Sequence, residues 1–196
     1  MNTIDTNPFV HIIHDNISLS NTIINKTNEL ANTFHNAKDV RTLCPVKKDD
    51  WYYDNIDYFN AVVAFGKEKL WPIYKQLYPK TNNLHYPVEL MSPKKVLWIP
   101  TINKTSPGIY HDTIHTDAHW KIMSTIYYIT EKGTGTPLYN TNKEFVKEIP
   151  WKKGRGYSFL PHAKSYHNYG NSLNEDRVTL VLNLTTIQHY LSLIHI

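Results

Sequence analysis

Three polar residues lie close together in the segment His-Thr-Asp-Ala-His at residues 115 to 119. In an extended backbone, His115 and Asp117 would leave the same face of the strand and could bind one metal ion together. A His-x-Asp pair is common by chance, and for the pair alone a hydrogen-bonded turn is the more frequent explanation. A metal site therefore requires a third ligand from a distant part of the chain. His119 is expected at the surface or behind the ligands rather than on the metal.

Two later histidines, His162 and His167, qualify as that third ligand. Arg177 follows and opens the apolar run Arg-Val-Thr-Leu-Val-Leu-Asn-Leu-Thr-Thr. Two imidazoles and one carboxylate on one face of an ion form the ligand set of non-haem Fe(II) oxygenases. The planar guanidinium of an arginine near such a site suits bidentate binding of a carboxylate.

With these residues in place, the stretch from about 95 to 185 resembles the Fe(II)/2-oxoglutarate-dependent dioxygenases, in particular their prolyl-hydroxylase branch. In that branch an eight-residue step separates a phenylalanine from the distal histidine, which favours His167 over His162. The matching positions are His115, Asp117, the Tyr127-Tyr128-Ile129 strand end, Phe159, His167 and Arg177.

The resemblance implies a catalytic metal site in which His115, Asp117 and His167 bind Fe(II). It also implies that Arg177 pairs with the distal carboxylate of 2-oxoglutarate, with Thr179 and Tyr128 as hydrogen-bond donors to it. Val181 would continue the same inward face. The implied reaction converts 2-oxoglutarate and O2 to succinate and CO2, and ascorbate is expected to support it.

The implied substrate is a prolyl or other amino-acid side chain in a peptide, a protein or an amino acid. The spacing between Asp117 and the tyrosine pair is shorter than in the closest prolyl hydroxylases, and the turn Lys-Gly-Thr-Gly-Thr-Pro lacks a Gly-Gly pair. Both departures leave the identity of the substrate open. Selectivity is expected in loops at about 80–112 and 131–145. His111 could flank the entrance, but an exposed histidine at a strand end is the simpler interpretation.

Two other function classes stay open at this stage. The first is a cupin-like module that binds a metal or a small acid without oxygenase activity. The second is a nucleobase oxygenase, which gains some support from an isoelectric point near 8.9 and the basic run 152–155. That run is more simply a solvated turn, so nucleic acid is not expected as a partner.

The elements that must position these residues are mostly strands. After about residue 86, short β-rich runs are separated by Gly, Pro, Asn and Lys, which predicts a double-stranded β-helix, the jelly roll of cupin-like proteins. Before it, helical spacing predicts a helix over 19–34, capped by Ser18 or Ser20, and another over 58–78 interrupted at Pro72. The prediction is mainly β with N-terminal helices in a single domain, 1–196. The helical support covers about 1–85 and the β-core about 86–190.

Composition limits the remaining possibilities. With 196 residues, 41% hydrophobic and 13% aromatic, the chain is long and apolar enough to fold around its own core. One cysteine, Cys44, excludes an internal disulfide and is expected to be a buried thiol in a reducing compartment. No apolar run approaches the length of a membrane span, so a soluble, cytoplasmic protein without a membrane partner is predicted.

Overall fold

The computed structural model describes residues 4–34, 39–43, 50–80 and 96–187. The buried thiol predicted at Cys44 lies outside these residues, as do the first part of the predicted β-core, at 86–95, and its end at 188–190. The side chain of His111 is likewise outside the described part. Among the described residues, no helix is long and apolar enough to cross a membrane.

The chain forms four α-helices and eleven strands within its described residues. The helices are α1 (Asn21–Asn32), α2 (Asp50–Asp54), α3 (Ile56–Phe65) and α4 (Trp71–Leu77), with a π-helical turn at Gly66–Leu70 and a 3-10 turn at Tyr78–Lys80. The strands are β1 (Ile4–Asp5), β2 (His11–His14), β3 (Asp39–Leu43), β4 (Val96–Thr105), β5 (Tyr110–His115), β6 (Met123–Tyr128), β7 (Thr136–Tyr139), β8 (Phe145–Ile149), β9 (Gly156–Phe159), β10 (His167–Gly170) and β11 (Arg177–Thr186).

The strands build two sheets that face each other. The larger sheet has the order β1-β2-β9-β6-β11-β4-β3, and the smaller has the order β5-β10-β7-β8. All the strand pairs are antiparallel, and consecutive strands alternate between the two sheets from β4 to β7. This is the predicted jelly roll, mainly β with N-terminal helices, so the predicted fold class is confirmed.

The first helix begins where the sequence places its cap. The Ser20 hydroxyl accepts a hydrogen bond from the backbone N–H of Ile23 at 3.3 Å, which satisfies one of the free donors of the first turn. Helix α1 is shorter than the predicted 19–34 segment at both ends. It packs on α3, where the Thr27 and Tyr58 hydroxyls lie 2.5 Å apart.

The second predicted helix is divided into α3, the π-helical turn and α4, and Pro72 lies in the first turn of α4. Proline is tolerated there because the first N–H groups of a helix have no internal acceptor. Gly66 lies at the start of the π-helical turn, and a Cβ on it would come 2.7 Å from the Trp98 ring. Its lack of a side chain therefore lets the helical layer approach β4 closely.

Two separate hydrophobic cores follow from the alternation of side chains along the strands. One lies between the helices and the outer face of the larger sheet, and the other lies between the two sheets. On β6, Tyr127 faces the helices and its hydroxyl donates to the carbonyl of Ile17, while Tyr128 faces the smaller sheet. The helices thus support the back of the sheet whose front faces the site.

Candidate metal centre and cosubstrate cleft

The two predicted histidine ligands lie on neighbouring strands of the smaller sheet. His115 ends β5, His167 begins β10, and the two residues are direct partners in the antiparallel register. Their ring centroids are 4.7 Å apart. The strand pairing thus brings together two histidines that are far apart along the chain.

Asp117 completes the cluster two residues beyond the end of β5. One ligand atom from each of His115, Asp117 and His167 lies within 4.8 Å of the others. Ligand atoms on one face of an ion, at right angles to one another with bonds of roughly 2.1 Å, lie about 3 Å apart. Side-chain adjustments of up to about 2 Å would therefore bring all three onto one ion. The structure therefore brings together the three residues proposed from the sequence.

Both imidazoles are oriented by the same local hydrogen bond. The Nδ1 atom of His115 lies 3.0 Å from the carbonyl oxygen of Thr113, and that of His167 lies 3.0 Å from the carbonyl oxygen of Ser165. A carbonyl can only accept, so each Nδ1 carries a proton, and in the neutral ring this leaves Nε2 as the atom with a lone pair for a metal. Such an outer hydrogen bond fixes the tautomer and the ring plane of metal-binding histidines. Burial also lowers the pKa of His167, which keeps this ring neutral.

Two donors hold the carboxylate of Asp117. Ser124 donates to Oδ2 at 2.5 Å, and Lys121 donates to Oδ1 at 2.7 Å. Burial alone would raise the pKa of Asp117, but the positive charge of Lys121 and these hydrogen bonds lower it to about 2. The group is therefore an anion throughout the physiological range, as a metal ligand must be. Ser124 Oγ also lies 3.0 Å from Asn183 Oδ1 on β11.

The cluster lies in an open cleft that extends between the two sheets. The empty volume of the cleft is about 490 Å³, including the part that is open to solvent at its mouth. Both ends of the predicted site face this cleft, because the metal-binding cluster and Arg177 line it together. The residues that line it include His115, Asp117, Lys121, His167, Arg177 and Thr179.

Arg177 is almost fully buried at the start of β11. Its Nε donates to the carbonyl of Thr134 at 2.9 Å, which orients the guanidinium. Three aromatic rings surround the guanidinium carbon, Trp151 at 5.2 Å, Tyr169 at 5.5 Å and Tyr128 at 5.9 Å from their centroids. Cation–π attraction in such a box stabilises a charge that has lost most of its water.

Of the other residues predicted to bind the cosubstrate or to line its site, those on β11 face the cleft, whereas the hydroxyl of Tyr128 is bonded elsewhere. Thr179 and Val181 follow Arg177 at two-residue intervals on the inner face of β11, and both line the cleft. The Tyr128 ring lies near the guanidinium, but its hydroxyl donates to Thr136 at 2.9 Å and lies 3.1 Å from the carbonyl oxygen of Ile149. Tyr157 on β9, which the sequence did not single out, lines the cleft instead.

The histidines considered as alternatives lie away from the cluster. The Nδ1 atom of His162 accepts a hydrogen bond from the backbone N–H of Lys164 at 3.2 Å. Its ring contacts Phe9 edge-on, with the centroids 6.3 Å apart. His119 is exposed in the turn after Asp117. Neither ring belongs to the group of possible ligands.

Three polar residues of the site were missed at the level of sequence, namely Lys121, Ser124 and Asn103. Asn103 lines the cleft from β4, and its Oδ1 is buried without a hydrogen-bond partner among the described residues. Ser124 could have been found from the alternation of β6, because it is an even number of residues from Tyr128 and shares its face. No sequence pattern marks Lys121 or Asn103.

The basic run at 152–155 is paired with acidic side chains. Arg155 binds Asp15 through two nitrogens, at 2.9 and 3.1 Å, and Lys152 lies 3.7 Å from the same carboxylate. Lys153 is paired with Glu131. Two carboxylates thus neutralise two of the three positive charges of the run, and each of its three cations has an acidic partner.

No family model matches the sequence, and no curated protein is similar enough to match it. Solved structures do match, at low identity. The viral collagen prolyl hydroxylase of Paramecium bursaria Chlorella virus-1, solved with 2-oxoglutarate, is 12% identical with a TM-score of 0.56, covering 90% of this chain and 96% of that one. A Pseudomonas putida prolyl-4-hydroxylase is 10% identical with a TM-score of 0.51, covering 90% and 92%.

A third match is a full-length protein of Neurospora crassa, solved in complex with α-ketoglutarate (2-oxoglutarate) and 5-formyluracil. It is 10% identical with a TM-score of 0.63, covering 90% of this chain and 74% of that one. These likenesses confirm the resemblance proposed from the sequence at the level of the fold, and the His-Asp-His cluster is compatible with Fe(II). The chain thus has the jelly-roll fold of the 2-oxoglutarate-dependent oxygenases, the prolyl hydroxylases among them.

Proposed function

We propose that this protein is an Fe(II)/2-oxoglutarate-dependent dioxygenase that hydroxylates an amino-acid side chain, in a peptide, a protein or an amino acid. One observation carries the proposal. The His115, Asp117 and His167 cluster and the buried Arg177 line the same cleft. Three ligands on one side of an ion leave positions for a chelating cosubstrate and O2, and the arginine offers a partner for the cosubstrate's far carboxylate.

The side chains have separate roles in this proposal. His115, Asp117 and His167 hold Fe(II), and Ser124 keeps the carboxylate in place. Arg177 binds the distal carboxylate of 2-oxoglutarate, and the hydroxyl of the buried Thr179 donates to it. The contact predicted for Tyr128 stays a prediction, since its hydroxyl donates to Thr136.

Fe(II) held by His115, Asp117 and His167, with 2-oxoglutarate held at Arg177, would supply the oxidation of a C–H bond by O2, with succinate and CO2 as the coproducts. The protein orients the reactants and limits access of water. His167, Arg177 and Thr179 are buried even though the cleft is open at its mouth. A dry inner end protects a strong oxidant from side reactions.

The test is succinate formation by the purified protein with Fe(II), ascorbate and 2-oxoglutarate in air. We expect slow turnover without substrate, inhibition by N-oxalylglycine and faster turnover when a substrate is added. Binding of Mn(II) and 2-oxoglutarate without any succinate would instead favour the cupin-like binding module. Failure to bind either would contradict the proposal.

A nucleobase oxygenase is a second candidate, supported by the likeness to the Neurospora crassa structure that contains 5-formyluracil. The pairing of the basic run with Asp15 and Glu131 gives no support to binding of a nucleic-acid chain. A free nucleobase would not need a cationic patch, so this pairing does not argue against it as a substrate. Adding thymine and amino acids in parallel to the succinate assay separates the two, because only the true substrate stimulates turnover.

A further inference from the structure

A second cation, Lys121, lies at the metal end of the cleft. It follows Asp117 by four residues, in the turn between β5 and β6, and it lines the cleft with both histidine ligands. Its side chain is only 17% exposed. The ammonium lies 5.6 Å from the centroid of the Trp120 ring. The side chain of Lys121 is therefore held in position by its neighbours rather than freely solvated.

The ammonium of Lys121 has N–H donors that no group of the described residues accepts. It carries three N–H donors, and Asp117 Oδ1 accepts one of them at 2.7 Å. Within the parts of the chain that the structure describes, no second hydrogen bond or ion pair of Lys121 is formed. A metal ion on Asp117 would draw on the same carboxylate charge, so the ammonium would need another anion.

The charges of the cleft also indicate that Lys121 needs a further anion once the metal has bound. Among its lining residues, Asp117 carries one negative charge and Lys121 and Arg177 carry one positive charge each. A divalent metal ion and the dianion 2-oxoglutarate cancel each other. One positive charge remains after both have bound, and it is at Lys121, because Arg177 takes the distal carboxylate.

The two cations are at opposite ends of the site. Arg177 begins β11, whereas Asn183, which neighbours Ser124 at the metal end, lies six residues further along the same strand. Lys121 donates to the metal ligand Asp117 at 2.7 Å, whereas Arg177 donates to the carbonyl of Thr134 and lies among three aromatic rings. Lys121 therefore lies beside the metal-binding cluster, away from the group that takes the distal carboxylate.

We propose that Lys121 binds a carboxylate of the primary substrate, which makes the substrate a small carboxylic acid such as a free amino acid rather than an internal prolyl residue. This inference rests on the proposed function and narrows its substrate class. The competing reading of the same group is that Lys121 binds the metal-side carboxylate of 2-oxoglutarate, and the experiment must separate the two.

The experiment compares free amino acids with their primary amides. The protein is loaded with Mn(II) and N-oxalylglycine, and each L-amino acid and its amide is titrated into it by calorimetry. We expect at least one acid to bind ten times or more tightly than its amide. Lys121→Met should abolish this preference, and Lys121→Arg, which keeps the charge, should retain most of it. In the unaltered protein the comparison tests recognition of a carboxylate even where a variant fails to fold. Lys121→Arg keeps the assignment to residue 121 testable where Lys121→Met does not fold.

Several results would overturn the inference while leaving the proposed function intact. They are that no free acid binds to the loaded protein, that acids and amides bind alike, or that Lys121→Met weakens N-oxalylglycine binding without changing the preference for acids. A protein that fails to take up Mn(II) and N-oxalylglycine at all would contradict the proposed function itself. The two failures are therefore distinct.

Discussion

His115 and His167 face each other across one antiparallel strand pair, and each ring donates its Nδ1 proton to the carbonyl two residues earlier in its own chain segment. The register of β5 and β10 therefore sets the distance between the two ligands, and the local backbone sets the direction of each ring. Neither depends on a bound ion. The site is preorganised for metal binding in the protein as folded.

The first prediction concerns the choice of distal ligand. His167→Ala removes one of three ligands, so Mn(II) binding and succinate formation should both be lost, as measured by calorimetry and by product assay. His162→Ala is the matched control, because that ring contacts Phe9 outside the cluster. Loss of metal binding in the control, with His167→Ala still active, would show that the wrong histidine had been chosen.

The second prediction concerns the hydroxyl behind the carboxylate. Ser124→Ala removes the hydrogen bond to Asp117 Oδ2, and loss of such an orienting partner raises a metal dissociation constant by about 10- to 100-fold. Thr125→Ala is the control, because Thr125 is on the opposite face of β6 and its hydroxyl lies 2.6 Å from that of Ser158. An equal loss of affinity in both variants would mean that the effect comes from general destabilisation.

The sequence predicted the hydrophobic framework better than the strands that carry the ligands. The apolar run of β11 was predicted at the same bounds that the structure shows, 177–186, because a long run of buried residues gives a strong signal. Strand β10 was not predicted at all. Its first three residues, His-Asn-Tyr, carry polar groups and line the cleft rather than a core.

The same reason explains the missed Lys121. A lysine in a turn is ordinarily solvated, and only the fold shows that this turn returns to the metal-binding cluster. The ligand set could be proposed from sequence because His-x-Asp has a fixed spacing and the family resemblance supplied the distant histidine. Residues without a fixed spacing, such as Lys121 and Asn103, carry no such signal.

The third prediction tests the arginine. Arg177→Lys keeps the charge but loses the planar fork and the hydrogen bond from Nε to Thr134. We expect the KM for 2-oxoglutarate to rise by about tenfold or more, since a bidentate contact becomes a single one. Metal affinity in the absence of cosubstrate should change little, because Arg177 is not among the possible ligands. An unchanged KM would exclude Arg177 from cosubstrate binding.

The fourth prediction separates Thr179 from Tyr128. Thr179→Val removes a hydroxyl that faces the cleft, so the KM for 2-oxoglutarate should rise severalfold. Tyr128→Phe removes a hydroxyl that donates to Thr136, so it should lower the free energy of unfolding by about 1 kcal/mol and leave this KM within about twofold. A large rise in KM for Tyr128→Phe would instead support the contact that the sequence predicted.

The remaining prediction concerns a buried histidine far from the metal-binding cluster. His14 on β2 is fully buried beneath the helices, with Nε2 lying 2.7 Å from the Ser158 hydroxyl and with its ring stacked on Tyr127. Its Nδ1 has no hydrogen-bond partner among the described residues. Burial lowers the pKa of His14 from 6.5 to about 4, because the charged imidazolium would lose its water without gaining a partner.

This depressed pKa makes stability fall in acid. Between pH 6.5 and about 4 the unfolded chain binds a proton at His14 that the folded chain does not, so the free energy of unfolding decreases as the pH is lowered. The total loss from this group is about 3 kcal/mol, at roughly 1.4 kcal/mol for each unit of pKa shift. The free energy of unfolding, measured in urea at pH 8, 6 and 4.5, should depend less steeply on pH in His14→Gln than in the unaltered protein. The control is His119→Gln, at an exposed histidine, for which we expect the pH dependence of the unaltered protein. Equal slopes in all three proteins would show that His14 is protonated as readily in the folded state as in the unfolded one.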